Sequence, residues 1–366
     1  MNDARPTEPP DLLGDAAPND RPKKVAAALV TLVVLVIVFA GILPQFGDYS
    51  AAWGQIASMS MVQLATLAAA VVASIVIYVF PFTTSLPGLR FGTGFMVRQS
   101  GFTISNAVPA GGALTLGVQY GMLGQAGFGG ATSTAAIGIT SVFNLLVTLA
   151  LPVLGVVALL FVEPPTARQV IGAVAGLGIL AVLVGLFATV LRSDSTAQRL
   201  GNLAERLAAR VLGVFGKDAP DGIAEQLIAF RRSTIEVISA RWAALTGSNF
   251  AQQFSQFLVL FVALRITEQG TTGEVAFFAA FAAFALARLA SFIPVTPGGL
   301  GTVDAALTGL LIAFGATNTD ALAATLLWRA ASWVPQVLLG VATLVIWRIK
   351  YRGVSVSAGR GAASSG

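Results

Sequence analysis

Long apolar blocks dominate this sequence, and several reach the roughly 20 residues that a helix needs to cross about 30 Å of hydrocarbon. Only 11% of the 366 residues are charged and 55% are hydrophobic, so the chain lacks the polar residues to cover a water-soluble surface. We therefore expect an all-α, polytopic bundle of transmembrane helices. The clearest predicted spans are residues 25–43, 58–80, 131–161, 167–191, 242–264 and 321–347.

Two further apolar stretches, 89–125 and 275–316, are each interrupted near the middle by a cluster of Pro and Gly. Pro removes a backbone donor and Gly favours turns, so such a cluster ends a helix. We expect each stretch to form a broken helical hairpin, either re-entrant or fully spanning. Backbone without hydrogen bonds is tolerated at membrane depth only against protein or a polar cavity.

The distribution of Lys and Arg predicts the orientation, because short positively charged loops stay in the cytoplasm. Basic residues precede the first span and follow the last, and both termini are therefore predicted to be cytoplasmic, with the cell membrane as the location. The predicted parts are a polar tail (1–24), a first membrane repeat (25–191), a basic amphipathic cytoplasmic segment (192–241), a second membrane repeat (242–352) and a disordered tail (353–366).

With this orientation the two broken hairpins enter from opposite sides, which is typical of an inverted repeat. The helix after each break points its positive dipole end at the break, an arrangement that suits an anionic headgroup. Close packing of helices against Gly is the alternative explanation of the same residues. The break residues are Pro109, Gly111 and Gly112 in the first hairpin and Pro297, Gly298, Gly299 and Gly301 in the second.

Asp304 is the only one of the 17 acidic residues that falls inside a predicted apolar stretch. An intramembrane carboxylate is costly and by default marks a functional site, although a helix-capping role is the alternative. Arg329, Arg288 and Arg98 compete as its partner. Arg329 lies about 13 Å into the last span, too deep to reach water easily. We expect Asp304 to pair with Arg329, and Arg288 or Arg98 to meet a lipid phosphate.

Several uncharged polar residues also lie in the apolar regions, and such residues more often join helices than bind substrate. They include Gln119 and Tyr120 on the first hairpin, Asn144, and a cluster of Asn249, Gln252, Gln253 and Gln256. Trp328, Trp333 and Trp347 are typical packing or interface aromatics, and we assign them no site role.

The absence of Cys and His from the sequence excludes disulfides, the usual zinc sites and His-dependent catalytic triads. We expect no metal and no cofactor. No phosphate-binding Gly-x-x-x-x-Gly-Lys-Ser/Thr segment is present, so ATP is not expected to drive the protein. No nucleic-acid motif occurs, and the net charge of +5 is better explained by topology and anionic lipids.

The segments PVTPGGLGTVDAALTGLLIAFGA, ALAATLLWRAASWVPQVLLG and SNAVPAGGALTLGVQYGML resemble the lysylphosphatidylglycerol synthase transmembrane family, also described as flippase-like domain proteins. The resemblance maps that family's Glu after the Gly-rich break onto Asp304, its arginine in the next span onto Arg329, and its N-x-x-P segment onto Asn106 to Pro109. Two departures stand out: Asp replaces the usual Glu, and Gly121 follows Tyr120 where relatives often carry Arg.

The resemblance implies a lipid flippase that moves an anionic or modified lipid, aminoacylated or polyprenyl-linked. Few residues follow the last span, so we do not expect the soluble aminoacyltransferase domain of full-length synthases, nor enzymatic activity. A membrane scaffold for a separate synthase or glycosyltransferase is one alternative. A membrane-embedded lipid transferase that uses Asp304 as its base is another.

Overall fold

The structure is a computed structural model, and it describes residues 49–107, 111–162, 178, 181–182, 184–214, 222–268, 274–292 and 299–350. These residues form α-helices joined by short turns, with no β-strand among them, which confirms the predicted all-α class. In chain order the helices are α1 (Tyr49–Ala57), α2 (Met61–Ile77), α3 (Phe80–Ser85), α4 (Phe91–Ala107), α5 (Gly112–Gln125), α6 (Gly130–Leu159), α7 (Asp194–Val214), α8 (Ile223–Thr267), α9 (Phe277–Ala287), α10 (Thr302–Ala313) and α11 (Asn318–Lys350).

Four helical segments of the described chain are long and apolar enough to cross a membrane: Met61–Ser85, Gly130–Leu159, Thr234–Thr267 and Asn318–Lys350. Each overlaps a span predicted from the sequence. The predicted span 25–43 lies outside the described residues. Of 167–191, the described part is helical. The protein is therefore a membrane-spanning helical bundle.

Both apolar stretches that carry Pro and Gly clusters are interrupted in the structure. Helix α4 ends at Ala107 and α5 begins at Gly112. In the second stretch a 3-10 turn, Arg288–Phe292, follows α9, and α10 begins only at Thr302. At 1.5 Å per residue α10 is about 18 Å long, shorter than the roughly 30 Å of hydrocarbon. The inverted relation between the hairpins stays a prediction.

Helix α8 is the central element of the bundle, because it packs against α2, α6, α9 and α11. Its Phe257 is fully buried, and its ring centroid lies 5.1 Å from those of Phe277 and Phe281 on α9. Such edge-on aromatic contacts add to the packing that drives helix association in lipid. The bundle is therefore anchored on the C-terminal half of α8, next to the polar residues Gln252 and Gln253.

Small residues let neighbouring helices approach closely. A Cβ at Gly340 of α11 would lie 1.9 Å from the Thr103 hydroxyl oxygen and 2.3 Å from the Gln99 carbonyl oxygen of α4. The close approach lets the Thr103 hydroxyl donate to the Val337 carbonyl at 3.1 Å. Gly340 thus sets the distance between α4 and α11, the two helices that carry Arg98 and Arg329.

A basic arm leads from α7 into α8. Gly222, the residue before α8, has a φ of 80°, a left-handed conformation that favours Gly. Asp194 of α7 accepts hydrogen bonds from Arg231 at 2.6 Å and from Arg232 at 2.7 Å. These bonds lower the pKa of Asp194 below its ordinary value, and the bond from Arg232 has the largest effect. Helix α8 then continues through a kink at Arg241 into the membrane span.

We predict that Gly340→Ala lowers the free energy of unfolding by about 1–3 kcal/mol, because the added methyl group forces α4 and α11 apart. Gly247→Ala on α8 is the matched control: its Cβ meets nothing within 4 Å, so the change should be neutral or slightly stabilising. Unfolding in detergent micelles measures both. Equal stability of the two variants would contradict the assigned role of Gly340.

We predict that Asp194→Asn loosens α7 from α8 at neutral pH. A carboxyl with a lowered pKa stabilises the folded state above its unfolded pKa, and this contribution is lost as the pH falls through its folded pKa. Amide hydrogen exchange in 194–214 should therefore quicken in the variant at neutral pH, and wild type should match it only at strongly acid pH. Glu236→Gln is the control, because it removes an exposed acid that has no ion pair among the described residues. It should leave amide hydrogen exchange in 194–214 unchanged.

Candidate functional site

A half-open cavity of about 440 Å³ lies between α4, α6, α8, α11 and the 3-10 turn after α9. Its size falls in the range of small-molecule sites, about 300–1,000 Å³. The wall is rich in amides, hydroxyls and guanidinium groups, which is unusual for the interior of a membrane bundle. No acidic side chain belongs to the described lining.

Asp304 and Arg329 form an ion pair beside this cavity, as the sequence predicts. Arg329 Nε donates to Asp304 Oδ1 at 2.6 Å, and the Gly301 amide donates to Asp304 Oδ2 at 2.7 Å. The Gly301 φ of 86° aims that amide back at the carboxylate. Asp304 is only 1% exposed, so both of its oxygens are engaged inside the protein. The carboxylate thus both caps α10 and neutralises Arg329.

Arg288 lies on the cavity wall without a carboxylate partner among the described residues. Its Nη2 donates to Gln253 Oε1 at 2.6 Å, and its guanidinium lies 5.3 Å from the centre of the Phe284 ring. Its Nε is buried without a hydrogen-bond partner in the same part of the chain. A partly buried guanidinium that has only an amide and a ring as partners keeps its positive charge uncompensated and can offer it to an anion.

Arg98 lies behind the same wall. Its guanidinium covers the Tyr78 ring at 4.0 Å, and its Nη2 donates to Gln252 Oε1 at 3.3 Å. Within the described part of the chain, three guanidinium groups therefore surround the cavity against the single carboxylate of Asp304, an excess of two positive charges.

Amide side chains join the helices that form the wall. Gln253 Nε2 donates to Thr148 on α6 at 3.1 Å and to Asn144 Oδ1 at 3.4 Å. Gln256 of α8 donates to Ser74 of α2 at 2.8 Å. These residues connect helices, as the sequence predicts, and at the same time they line the cavity. Gln253 also accepts a hydrogen bond from Arg288, and the neighbouring Gln252 accepts one from Arg98.

One face of α11 presents buried polar atoms that have no hydrogen-bond partner among the described residues. Each such atom would cost about 1–3 kcal/mol if it stayed unpaired, so a ligand that satisfies them gains affinity. Their spacing along the helix is i, i+3, i+4 and i+7, which places them on one side. They are Arg329 Nη2, Ser332 Oγ, Trp333 Nε1 and Gln336 Oε1.

The other predicted site residues fall into three groups. Asn106 and Gly299 line the cavity with Arg288 and Arg329. Gly111 and Gly112 lie at the start of α5. Gln119 is buried against Gly101, and the Tyr120 hydroxyl lies 2.7 Å from the Thr134 hydroxyl. Neither Gln119 nor Tyr120 belongs to the described cavity wall. Pro109, Pro297 and Gly298 lie outside the described residues.

Sequence reasoning missed Ser332, Trp333 and Gln336. The available signal was the polar face that these residues form with Arg329 at helical spacing in the last span. Trp328 and Trp333 were expected to be packing or interface aromatics without a site role. Both line the cavity, and the Trp328 indole N–H donates to the Gln256 carbonyl at 3.1 Å.

Burial also extends to two acids expected in loops. Asp320 is fully buried at the start of α11, where Gln55 donates to its Oδ1 at 2.7 Å, and Glu268 is 2% exposed and paired with Arg265. Both hold ends of helices away from the cavity.

At Gly121, where related sequences often carry Arg, the side chain of Trp347 occupies the adjacent space. The Trp347 ring lies 3.5 Å from the position of a Cβ at Gly121, and its indole N–H donates to Gln125. A bulky residue at 121 would displace this ring. Beside it lies a second cavity, about 380 Å³ in volume, which shares no lining residue with the first in the described part of the chain.

Comparison with known families gives one finding. The model described as "Lysylphosphatidylglycerol synthase TM region" matches residues 25–340. No curated protein matches the chain.

We predict that Asp304→Asn lowers the free energy of unfolding by about 3–5 kcal/mol, because it leaves the charge of Arg329 buried without a counter-charge. Arg329→Gln should cost a similar amount. The double variant Asp304→Asn/Arg329→Gln should be more stable than the sum of the two losses predicts, since neither charge is then left unpaired. Unfolding in micelles measures all four proteins, and strictly additive losses would contradict the pair.

Proposed function

Because the chain belongs to the lysylphosphatidylglycerol synthase TM region family, we propose that it moves an anionic or modified phospholipid between the two leaflets of the cell membrane. The modified class includes aminoacylated and polyprenyl-linked lipids. The headgroup passes through the central cavity while the acyl chains stay in the lipid. The cavity lowers the barrier because it replaces the water that a headgroup loses on entering the bilayer.

The main support for this proposal is that the positive charge of Arg288 has no carboxylate partner among the described residues. Beside it, Arg329 Nη2 and Trp333 Nε1 are donors that have no partner in the same part of the chain. Guanidinium groups bind phosphate through a planar fork of donors. A partly enclosed site with an excess of positive charge, and with donors that have no partner in the described part of the chain, suits the phosphate that every phospholipid headgroup carries. An apolar substrate would leave these donors unsatisfied.

The same proposal places both termini in the cytoplasm. The arm formed by α7 and the start of α8 carries Arg199, Arg206, Arg231 and Arg232 and would lie at the inner membrane surface. Membrane lipids are then the partners of the protein. The arm is also the surface on which a separate synthase or glycosyltransferase would dock.

A transferase that uses Asp304 as a base has less support. A general base needs a free lone pair within reach of the substrate proton. Asp304 already accepts from Arg329 and Gly301 and is 1% exposed. We therefore propose transport rather than catalysis.

We predict that wild-type protein in proteoliposomes speeds the exchange of fluorescent phosphatidylglycerol between leaflets, and that Arg288→Gln slows this exchange about tenfold or more. The change keeps a polar side chain but removes the charge that would hold the phosphate. Loss of fluorescence after an external reductant measures the exchange.

Arg348→Gln is the matched control, because Arg348 is exposed in the last turn of α11 and does not line the cavity. Its rate should equal that of wild type, and thermal unfolding should show all three proteins folded. If wild type exchanged lipid no faster than protein-free vesicles, or if Arg288→Gln matched wild type, the proposal would be wrong.

A further inference from the structure

We propose that the central cavity selects a phosphodiester lipid whose headgroup carries free hydroxyls and no ammonium group, and that it rejects the aminoacylated form of the same lipid. This inference rests on the proposed transport function and specifies its substrate class. It follows from the charges, the ring faces and the hydrogen-bond atoms of the cavity wall.

The cavity offers no carboxylate to an ammonium group. The described lining contains no acid. The nearby carboxylate of Asp304 is 1% exposed, and each of its oxygens already accepts a hydrogen bond. An aminoacyl headgroup would therefore bring its ammonium group into a described wall where every full charge it meets is positive.

Aromatic rings are the other common partner of an ammonium group. Four rings belong to the described lining, and two of them already lie under a guanidinium: Tyr78 under Arg98 at 4.0 Å and Trp328 beside Arg329 at 4.9 Å. A third, Phe102, packs against the Tyr78 ring at 5.9 Å. The fourth, Trp333, is one helical turn from Arg329. An ammonium group at any of these rings would lie next to an arginine.

The atoms left without partners in the described chain match a phosphodiester that bears a hydroxyl. Arg288 Nε, Arg329 Nη2 and Trp333 Nε1 are all donors, and phosphate oxygens are acceptors. Gln336 Oε1 is an acceptor and needs a donor, which a headgroup hydroxyl supplies. The Ser332 hydroxyl serves either group. Esterification by an amino acid removes one of the headgroup hydroxyls and adds ammonium groups, so it brings positive charge beside Arg288 and Arg329.

The test compares phosphatidylglycerol with its lysyl ester, both fluorescent, in proteoliposomes of wild type and of Gln336→Glu. We expect wild type to move phosphatidylglycerol roughly tenfold faster or more, because like charges in a desolvated site repel strongly. Gln336→Glu has nearly the same shape and adds a carboxylate at the cavity. It should reduce or reverse the preference.

Gln125→Glu is the matched control, since Gln125 lies on α5, does not line the cavity and keeps an acceptor for Trp347 after the change. It should leave the preference of wild type intact. Equal rates for the two lipids in wild type, or faster movement of the lysyl ester, would overturn the inference while leaving transport in place.

If neither lipid moved, the proposed transport would be wrong, and equilibrium binding would decide the selectivity separately. Native mass spectrometry of the detergent-solubilised protein with each lipid supplies that measurement. Preferential retention of phosphatidylglycerol, lost in Arg288→Gln, would support the inference without transport. Equal retention of the two lipids, or stronger retention of the lysyl ester, would overturn it.

Discussion

The partly buried charge of three arginines is the constraint on which the rest of this structure depends. A guanidinium inside a bilayer protein must be paired or hydrogen-bonded, because its transfer from water costs several kcal/mol. Arg329 is paired with Asp304, and Arg98 is shared between Tyr78 and Gln252. Arg288 has an amide and a ring as partners but no anion within the described chain. The bundle thus stabilises two of these charges and leaves the third available to a ligand.

The packing of the bundle follows from this requirement. Helix α8 carries Phe257 toward α9 and Gln253 toward α6, so one helix joins the apolar core to the polar wall. The break before α10 exposes the Gly301 amide, which fixes Asp304, and Asp304 in turn fixes Arg329. A Pro and Gly cluster that would destabilise an ordinary span therefore supplies the backbone donor that the ion pair needs.

The membrane spans and the ion pair could be predicted from the sequence, because a lipid environment restricts where polar and charged residues can lie. Apolar length predicts the spans, and a single acid in an apolar stretch stands out. Its pairing with Arg329 could be proposed because Arg329 lies deep in the last span, although Arg288 and Arg98 were also candidates. The role of Ser332, Trp333 and Gln336 does not, since polar residues in spans usually join helices and only the packing shows which face meets a cavity. The burial of Asp320 also could not be predicted from the sequence, because its partner Gln55 is distant along the chain.

The central claim is that Arg288 and Arg329 hold a lipid phosphate inside the bundle. The most direct measurement is a high-resolution electron cryo-microscopy map of the protein in nanodiscs that contain phosphatidylglycerol. We predict phosphate density within hydrogen-bond distance of Arg288 Nε and Arg329 Nη2, with the headgroup against Gln336. Density for lipid only on the outer surface of the bundle, with water alone between these arginines, would contradict it.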